Sequence, residues 1–438
     1  MFSKIKNLLS KKEGVLAWNT LMLYILTFSN YFLSLLVVPY ESRVLKTAGY
    51  GELGVAMAIM VYFQLFIDFG FLLSATEEVS RNRQDNRLLS VIMTAVTWCK
   101  LVLSLLSLAV LFVLCLAIPA WRGKFGFYVL FFIGTMINAL LPDYLYRGLE
   151  KMSAITIRTV CIRAFSTLGI FLFLKKPEDI WVIPVLTAVG NLGAIIACFY
   201  DAKKRLNVRF CHVSAADIWL RMKQSSVFFL SRFATTAYSA LNTIILDIVS
   251  PSNIRVGGET VKNPVRGYYT SADKLMTTGK QALSPISDSL YPYMVKHHDY
   301  RLVKKVLLIL EPIIFAGCAV VFAFAPQFCE LFFGEGFAPA GNVLRVMLPT
   351  AVIILPSYIC GFPMLSSMGL TKHANYSTVF GSVIHIINLA ILYFTGHMNM
   401  ITLGAAMSVA EALILGYRLV VIWLHRDRLK GDYHEQAS

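Results

Sequence analysis

The chain has 438 residues, of which 57% are hydrophobic and 13% aromatic but only 15% charged, with a formal net charge of +15. Water-soluble domains carry about 25% charged residues, so this composition cannot cover a globular surface in water. The excess of lysine and arginine would suit nucleic acid, but it gathers in some breaks between apolar runs and avoids others, which is the pattern of membrane topology.

Apolar runs of about 18 to 25 residues, long enough for a helix to cross roughly 30 Å of hydrocarbon, recur along the chain. Residues 1–14 form a basic tail in which Phe2, Ile5, Leu8 and Leu9 alternate with Lys4, Lys6, Lys11 and Lys12. That pattern suits either an interfacial helix or a tail that sets orientation. The first run, 15–38, ends in Val38-Pro39-Tyr40 without a small-residue cleavage site, and is read as a retained helix rather than a signal peptide. Further spans follow at 50–72, 88–118, 125–145, 154–174 and 180–200, so that 15–200 makes an N-terminal lobe of six helices.

The longest polar break, 201–223, is predicted to be a cytoplasmic linker. Within it Ser214 opens an amphipathic stretch, with Ile218, Trp219 and Met222 on one side and Arg221 and Lys223 on the other. Six more spans, at 224–249, 268–291, 302–325, 343–366, 374–395 and 400–424, make a C-terminal lobe, and 425–438 a second tail. With the N-terminus inside, 24 lysines and arginines fall on the inner side and 9 on the outer, which places both termini in the cytoplasm. The expected fold is therefore all-α, with about twelve transmembrane helices in two lobes. Two lobes of six would be parallel repeats. An echo between Gly49-Tyr50-Gly51 and Gly267-Tyr268-Tyr269, at the starts of spans two and eight, agrees with that.

Chemistry on the chain is sparse. The eight cysteines are scattered without a CxxC, and the histidines show no HExxH spacing. No GxxxxGK loop or GxSxG elbow is present. No catalytic residue, metal site or nucleic-acid partner is assigned, and the chain reads as a transporter rather than an enzyme.

What stands out instead are charges inside apolar runs, each costing about 2.5 to 3.5 kcal/mol at a helix centre on insertion scales. Seven basic residues lie within or near the spans: Lys100, Arg163, Arg232, Lys274, Lys280, Arg345 and Arg418. Arg232, Lys274 and Lys280 cluster on spans seven and eight, and either line an electropositive path for an anion or pair with Asp247, Asp273 or Asp288. Lys274 and Lys280 are six residues apart and so lie on different sides of a regular helix. Arg43, at the outer end of span one, is an outer gate contact or an exposed loop charge. Glu411 and Arg418 share one face of span twelve, as a coupling site or a structural polar network. Glu311, followed by Pro312, is a protonatable group at a kink or a structural carboxylate; Asp68, with Glu77 and Glu78, belongs to a gate or a solvated helix end.

Local motifs run in order along nearly the whole chain: Pro39-Tyr40-Glu41-Ser42-Arg43, Gly49-Tyr50-Gly51, Asp68-Phe69-Gly70-Phe71 and Tyr144-Leu145-Tyr146-Arg147-Gly148-Leu149-Glu150-Lys151-Met152. Then come Gly267-Tyr268-Tyr269-Thr270-Ser271-Ala272-Asp273-Lys274, Phe333-Gly334-Glu335-Gly336-Phe337 and Gly404-Ala405-Ala406 before Glu411. This series resembles the polysaccharide-type lipid-linked oligosaccharide flippases of the multidrug/oligosaccharidyl-lipid/polysaccharide exporter superfamily. The segment from Ser250 to Arg266 is longer than those proteins usually have. The resemblance implies two six-helix lobes around a central cavity that opens alternately to either side of the cell membrane. It also implies passage of a polyprenyl-diphosphate-linked repeat unit for a surface polysaccharide, with membrane lipids and polysaccharide-assembly proteins as partners. No cofactor is implied beyond a coupling proton or sodium ion.

Two other readings compete. An ion-coupled multidrug exporter of the same superfamily would share the outline, but drug antiporters of that kind often carry an acidic residue in the first helix, and 15–38 has none. A membrane glycan polymerase would need a substantial outer domain, and the longest outer loop here runs only from about Ser250 to Gly267.

Overall fold

The computed structural model describes residues 12–249, 253–256, 259–262 and 264–430. The first helix, α1 (Lys12–Asp68), runs through predicted spans one and two, with its helical geometry interrupted at Lys46. There φ is 56° and ψ −177°, in the left-handed region that a residue with a side chain rarely adopts. Then follow α2 (Phe71–Arg81), α3 (Asn86–Ala117), α4 (Phe125–Ala139), α5 (Asp143–Gly148), α6 (Met152–Phe173), α7 (Val182–Arg205) and α8 (Ala215–Val249). A short antiparallel hairpin, β1 (Asn253–Val256) and β2 (Glu259–Lys262), occupies the long segment after span seven. The remainder is α9 (Pro264–His297), α10 (Tyr300–Ala323), α11 (Ala325–Phe333), α12 (Ala340–Ile359), α13 (Thr371–Phe394) and α14 (Met400–Leu424).

Helical segments fall on all twelve predicted spans, but spans 50–72 and 125–145 are each broken by a turn, at 69–70 and 140–142. Among the described residues, nine helical segments are long and apolar enough to cross a membrane, the first of them covering two predicted spans. The chain is a multi-pass, almost wholly helical membrane protein. The helices at predicted spans seven and eight, α8 and α9, are not among the nine. In α9 the reason is its polar content, which includes Asp273, Lys274, Lys280 and Asp288.

The chain divides into two compact units, one of residues 1–45 and 56–233, the other of 46–55 and 234–438. The divide thus falls inside α8, not within the predicted linker 201–223, and the start of span two belongs with the second unit. No separate interfacial helix forms in that linker, because Ala215 to Val249 is one continuous helix. Its first turns are also rotated from the predicted arrangement. Ile218 and Met222 pack on the core of the first unit while Trp219 is 67% exposed. Arg221 turns inward with them, since Glu78 is there to pair with it at 2.9 Å.

In the first unit, α2, α3 and α5 enclose a core of Phe71, Val79, Ile92, Met93, Tyr144 and Tyr146. Tyr146 donates its hydroxyl hydrogen to the Cys198 carbonyl or to Asp201, each 3.0 Å away. The tyrosines of the 144–146 motif are therefore packing residues with satisfied hydroxyls.

In the second unit α12 is the hub, packed against α9, α10, α11 and α14, and it passes into a π-helical turn, Cys360–Ser366. The two echoing motifs meet here. A Cβ on Gly51 would lie 2.6 Å from the Gly267 nitrogen, and one on Gly267 would overlap the Thr47 carbonyl oxygen. Tyr50 beside them is buried, with Phe333 and Phe337 at ring distances of 6.0 and 6.1 Å. Three of the motifs that carry the family resemblance thus form one small-residue and aromatic contact. Glycine permits the backbones to approach this closely.

Candidate functional site

The charges within apolar helices meet different fates. On α9, Lys280 reaches α14, where its ammonium lies 2.7 Å from the Glu411 carboxylate, with the two side chains 12% and 5% exposed. The direct ion pair of Lys280 is thus with Glu411 rather than with one of the three aspartates considered from the sequence, although its charge also acts on Asp273. Asp247 is engaged by Arg266, a loop residue in the sequence reading that is buried here. Lys274 lies half-buried on the same helix as Lys280, next to Asp273. Arg232 falls within α8, but its side chain lies outside the described residues.

Arg418 shares an α14 face with Glu411 but not its partner. Its guanidinium donates to the Ser377 hydroxyl at 2.8 Å, the Ser357 carbonyl at 2.6 Å and the Thr378 hydroxyl at 3.2 Å. A planar donor fork can reach several acceptors at once, so one residue joins α12, α13 and α14. Arg345 is similarly structural, donating to the last carbonyls of α10, Phe322 at 2.9 Å and the adjoining Ala323 at 3.1 Å. Cations favour helix C-termini for this reason.

In the first unit Asp68 accepts from Lys100 at 3.1 Å and from Gln64 at 2.8 Å. Lys100, almost fully buried, also donates to the Ala139 carbonyl at the end of α4, at 2.5 Å, and lies 5.7 Å from the centre of the Tyr144 ring. Asp68 is therefore an ion-pair partner rather than a solvated helix end. Of its neighbours in the sequence reading, Glu77 makes an exposed pair with Arg81 and Glu78 the buried one with Arg221. Arg43 is exposed on α1. Glu311 has one buried carboxylate oxygen with no hydrogen-bond partner among the described residues.

Sequence reasoning missed two features. It named Lys100 without a partner, although a lysine in the middle of an apolar run signals that one must exist. It also passed over Asn242, which donates to the Tyr269 hydroxyl at 2.8 Å and lies 2.9 Å from Nε2 of His385, linking α8, α9 and α13. Asparagine, tyrosine and histidine in separate spans carry no spacing signal, so only the fold brings them together. Among the described residues no group of histidine, cysteine and acidic side chains could hold a metal ion.

The family described as polysaccharide biosynthesis protein matches residues 16–298. The chain belongs to this family. It is similar to the putative O-antigen transporter of Shigella dysenteriae, 24% identical over 390 residues that cover 87% of this chain and 94% of that protein. The putative O-antigen transporter of Escherichia coli (strain K12) is 24% identical over 421 residues, 94% of this chain and 97% of the other. In fold, this family member is similar to the lipid II flippase MurJ in an inward closed conformation, with a TM-score of 0.65 at 14% identity over 94% of this chain and 89% of that one. An inward-facing multidrug resistance MATE transporter of the MOP superfamily gives a TM-score of 0.64 at 14% identity, covering 92% of this chain and 94% of the other.

Proposed function

We propose that the protein flips a polyprenyl-diphosphate-linked oligosaccharide repeat unit across the cell membrane for surface polysaccharide synthesis, by alternating access. The observation that carries this reading is the family match across residues 16–298 on a fold shared with a lipid-linked flippase. A sugar chain and a diphosphate cannot cross hydrocarbon unaided, while the polyprenyl tail can stay in it. Lys274 on the polar helix α9 and Arg232 on α8 are the cations offered to the diphosphate or to acidic sugars, with arginine suited to forked phosphate contacts. Both termini lie in the cytoplasm in this reading, and the protein performs no covalent chemistry. A proton or sodium gradient, with Glu311 as the candidate carboxylate, is one source of drive.

The test is flipping of a fluorescent lipid-linked oligosaccharide in reconstituted vesicles, for the wild type and for Arg232→Ala and Lys274→Ala at matched protein levels. A fall with either substitution supports a cationic path. Absence of flipping of any such lipid, together with gradient-driven efflux of a cationic drug, replaces this reading with the multidrug exporter.

A further inference from the structure

The end of α7 holds a cleft that the transport reading does not use. After Arg205 the chain turns at Asn207, at a φ of 54°, and runs back along α3 without regular structure up to Ser214. Its backbone is tied down as it goes. The Val208 N–H donates to the Ala202 carbonyl at 2.9 Å, that of Arg209 to the Ser90 hydroxyl at 3.1 Å, and that of Cys211 to the Thr94 hydroxyl at 3.2 Å. Between this segment and the two helices lies a cleft of about 470 Å³, whose walls include Met93, Phe199, Tyr200, Lys203, Arg209 and Phe210. It lies wholly within the first unit.

Two features give the cleft a chemistry. Lys203 and Arg209 are exposed, and among the described residues neither makes an ion pair, whereas the neighbouring Arg205 is engaged by Asp201 at 3.3 Å. Beside them the aromatic rings of Tyr200 and Phe210 stand 65% and 55% exposed, as side chains do at a headgroup boundary. An apolar track also leads away from the cleft. Val185, Val189, Leu192 and Ile196 are exposed at every third or fourth position of α7, on the face that ends at Tyr200. From Val185 to Ile196 the helix rises about 16 Å at 1.5 Å per residue, close to one leaflet of a hydrocarbon core roughly 30 Å thick.

We propose that this cleft binds an anionic glycerophospholipid of the cytoplasmic leaflet. Its phosphate lies between Lys203 and Arg209, its headgroup rests against Tyr200 and Phe210, and one acyl chain follows the track on α7. The distribution of lysine and arginine assigns this end of the molecule to the cytoplasmic side, where anionic lipids attract clustered cations. The pinned backbone makes the site before the lipid arrives, which separates it from ordinary contact with surrounding lipid. The cleft is the size of a headgroup rather than of an oligosaccharide with its diphosphate, so the occupant is membrane phospholipid and not cargo.

The experiment uses the delipidated full-length protein in an uncharged detergent and follows its thermal unfolding as phosphatidylglycerol is titrated in. The expected result is a saturable rise in Tm that neither phosphatidylcholine nor sodium phosphate produces. Lys203→Gln and Arg209→Gln each weaken the apparent affinity roughly fivefold, the effect of removing one cation near an anionic lipid. Lys204→Gln, exposed beside the cleft but not in its wall, leaves the titration unchanged. All three sites are exposed, so the variants fold. Equal stabilisation by phosphatidylcholine overturns the proposal in favour of unspecific lipid contact, and equal stabilisation by phosphate in favour of a small-anion site. Displacement of phosphatidylglycerol by a polyprenyl-diphosphate oligosaccharide overturns it in favour of cargo docking. The readout is lipid binding, so its failure leaves the flippase reading untouched, and a protein that binds lipid here without flipping refutes only that reading.

Discussion

Two consecutive helices, α9 and α10, show how differently a membrane protein can use its helices. Within α9, Lys280 is locked to Glu411 on α14, Ser271 is fully buried, and Gly267 lies against the backbone at Thr47. Its neighbour α10 exposes Leu308, Ile309, Ile313, Phe315 and Val320, and its one acidic residue, Glu311, finds no hydrogen bond for a buried oxygen among the described residues. Lipid can solvate α10 on most of its circumference, whereas α9 must find partners inside the protein. A polar helix in a membrane chain therefore marks where tertiary contacts concentrate.

The sharpest way to break that contrast is to strip one partner from the α9 ion pair. Glu411→Ala leaves a buried ammonium uncompensated and should cost about 3 to 5 kcal/mol, whereas replacing Lys280 and Glu411 together by methionine should cost far less. Denaturant unfolding in micelles measures both, and equal losses in the two variants would mean that the pair itself is not what holds α9. On α10, by contrast, Glu311→Leu removes an unsatisfied carboxylate and should leave stability unchanged or raised, read from the same unfolding curves.

Glycines sharpen the contrast further. Gly267→Ala drives a methyl group into the Thr47 backbone and should cost about 1 to 3 kcal/mol through overpacking. Gly279 on α9 and Gly317 on α10 have nothing within 4 Å of a Cβ position. Alanine at either should stabilise its helix by roughly 0.5 to 1 kcal/mol, since only backbone entropy changes. Thermal unfolding of the three variants separates a contact on α9 from the helix as a whole.

The smallest effect lies outside the membrane, at the start of α8. Asp217 accepts hydrogen bonds from the hydroxyl and the backbone N–H of Ser214, at 2.7 and 3.1 Å, which hold its carboxyl below the usual carboxylate range. A depressed folded-state value contributes stability above the unfolded value, near 3.9, that is lost as pH falls through the folded one. Asp217→Asn should therefore flatten the acid limb of a Tm-against-pH curve slightly, and an unchanged limb would show that this cap contributes nothing.

Composition and the spacing of apolar runs were enough to determine a helical membrane chain, because the thickness of hydrocarbon sets helix length whatever the packing. The ordered motifs likewise led to the family that residues 16–298 match. The candidate site was legible only in part. Sequence located the intramembrane charges, since each is costly enough to stand out, but could not pair them. Lys280 with Glu411 lies 131 residues apart, Lys100 with Asp68 32, and Arg418 takes hydroxyls and a carbonyl in place of a carboxylate. Helix periodicity also misjudged Arg221, placing it on the wet side of the linker when Glu78 makes a place for it in the core. Where a charge sits along one helix is a local property of the chain. Which partner neutralises it depends on which helices become neighbours, and only the tertiary structure decides that.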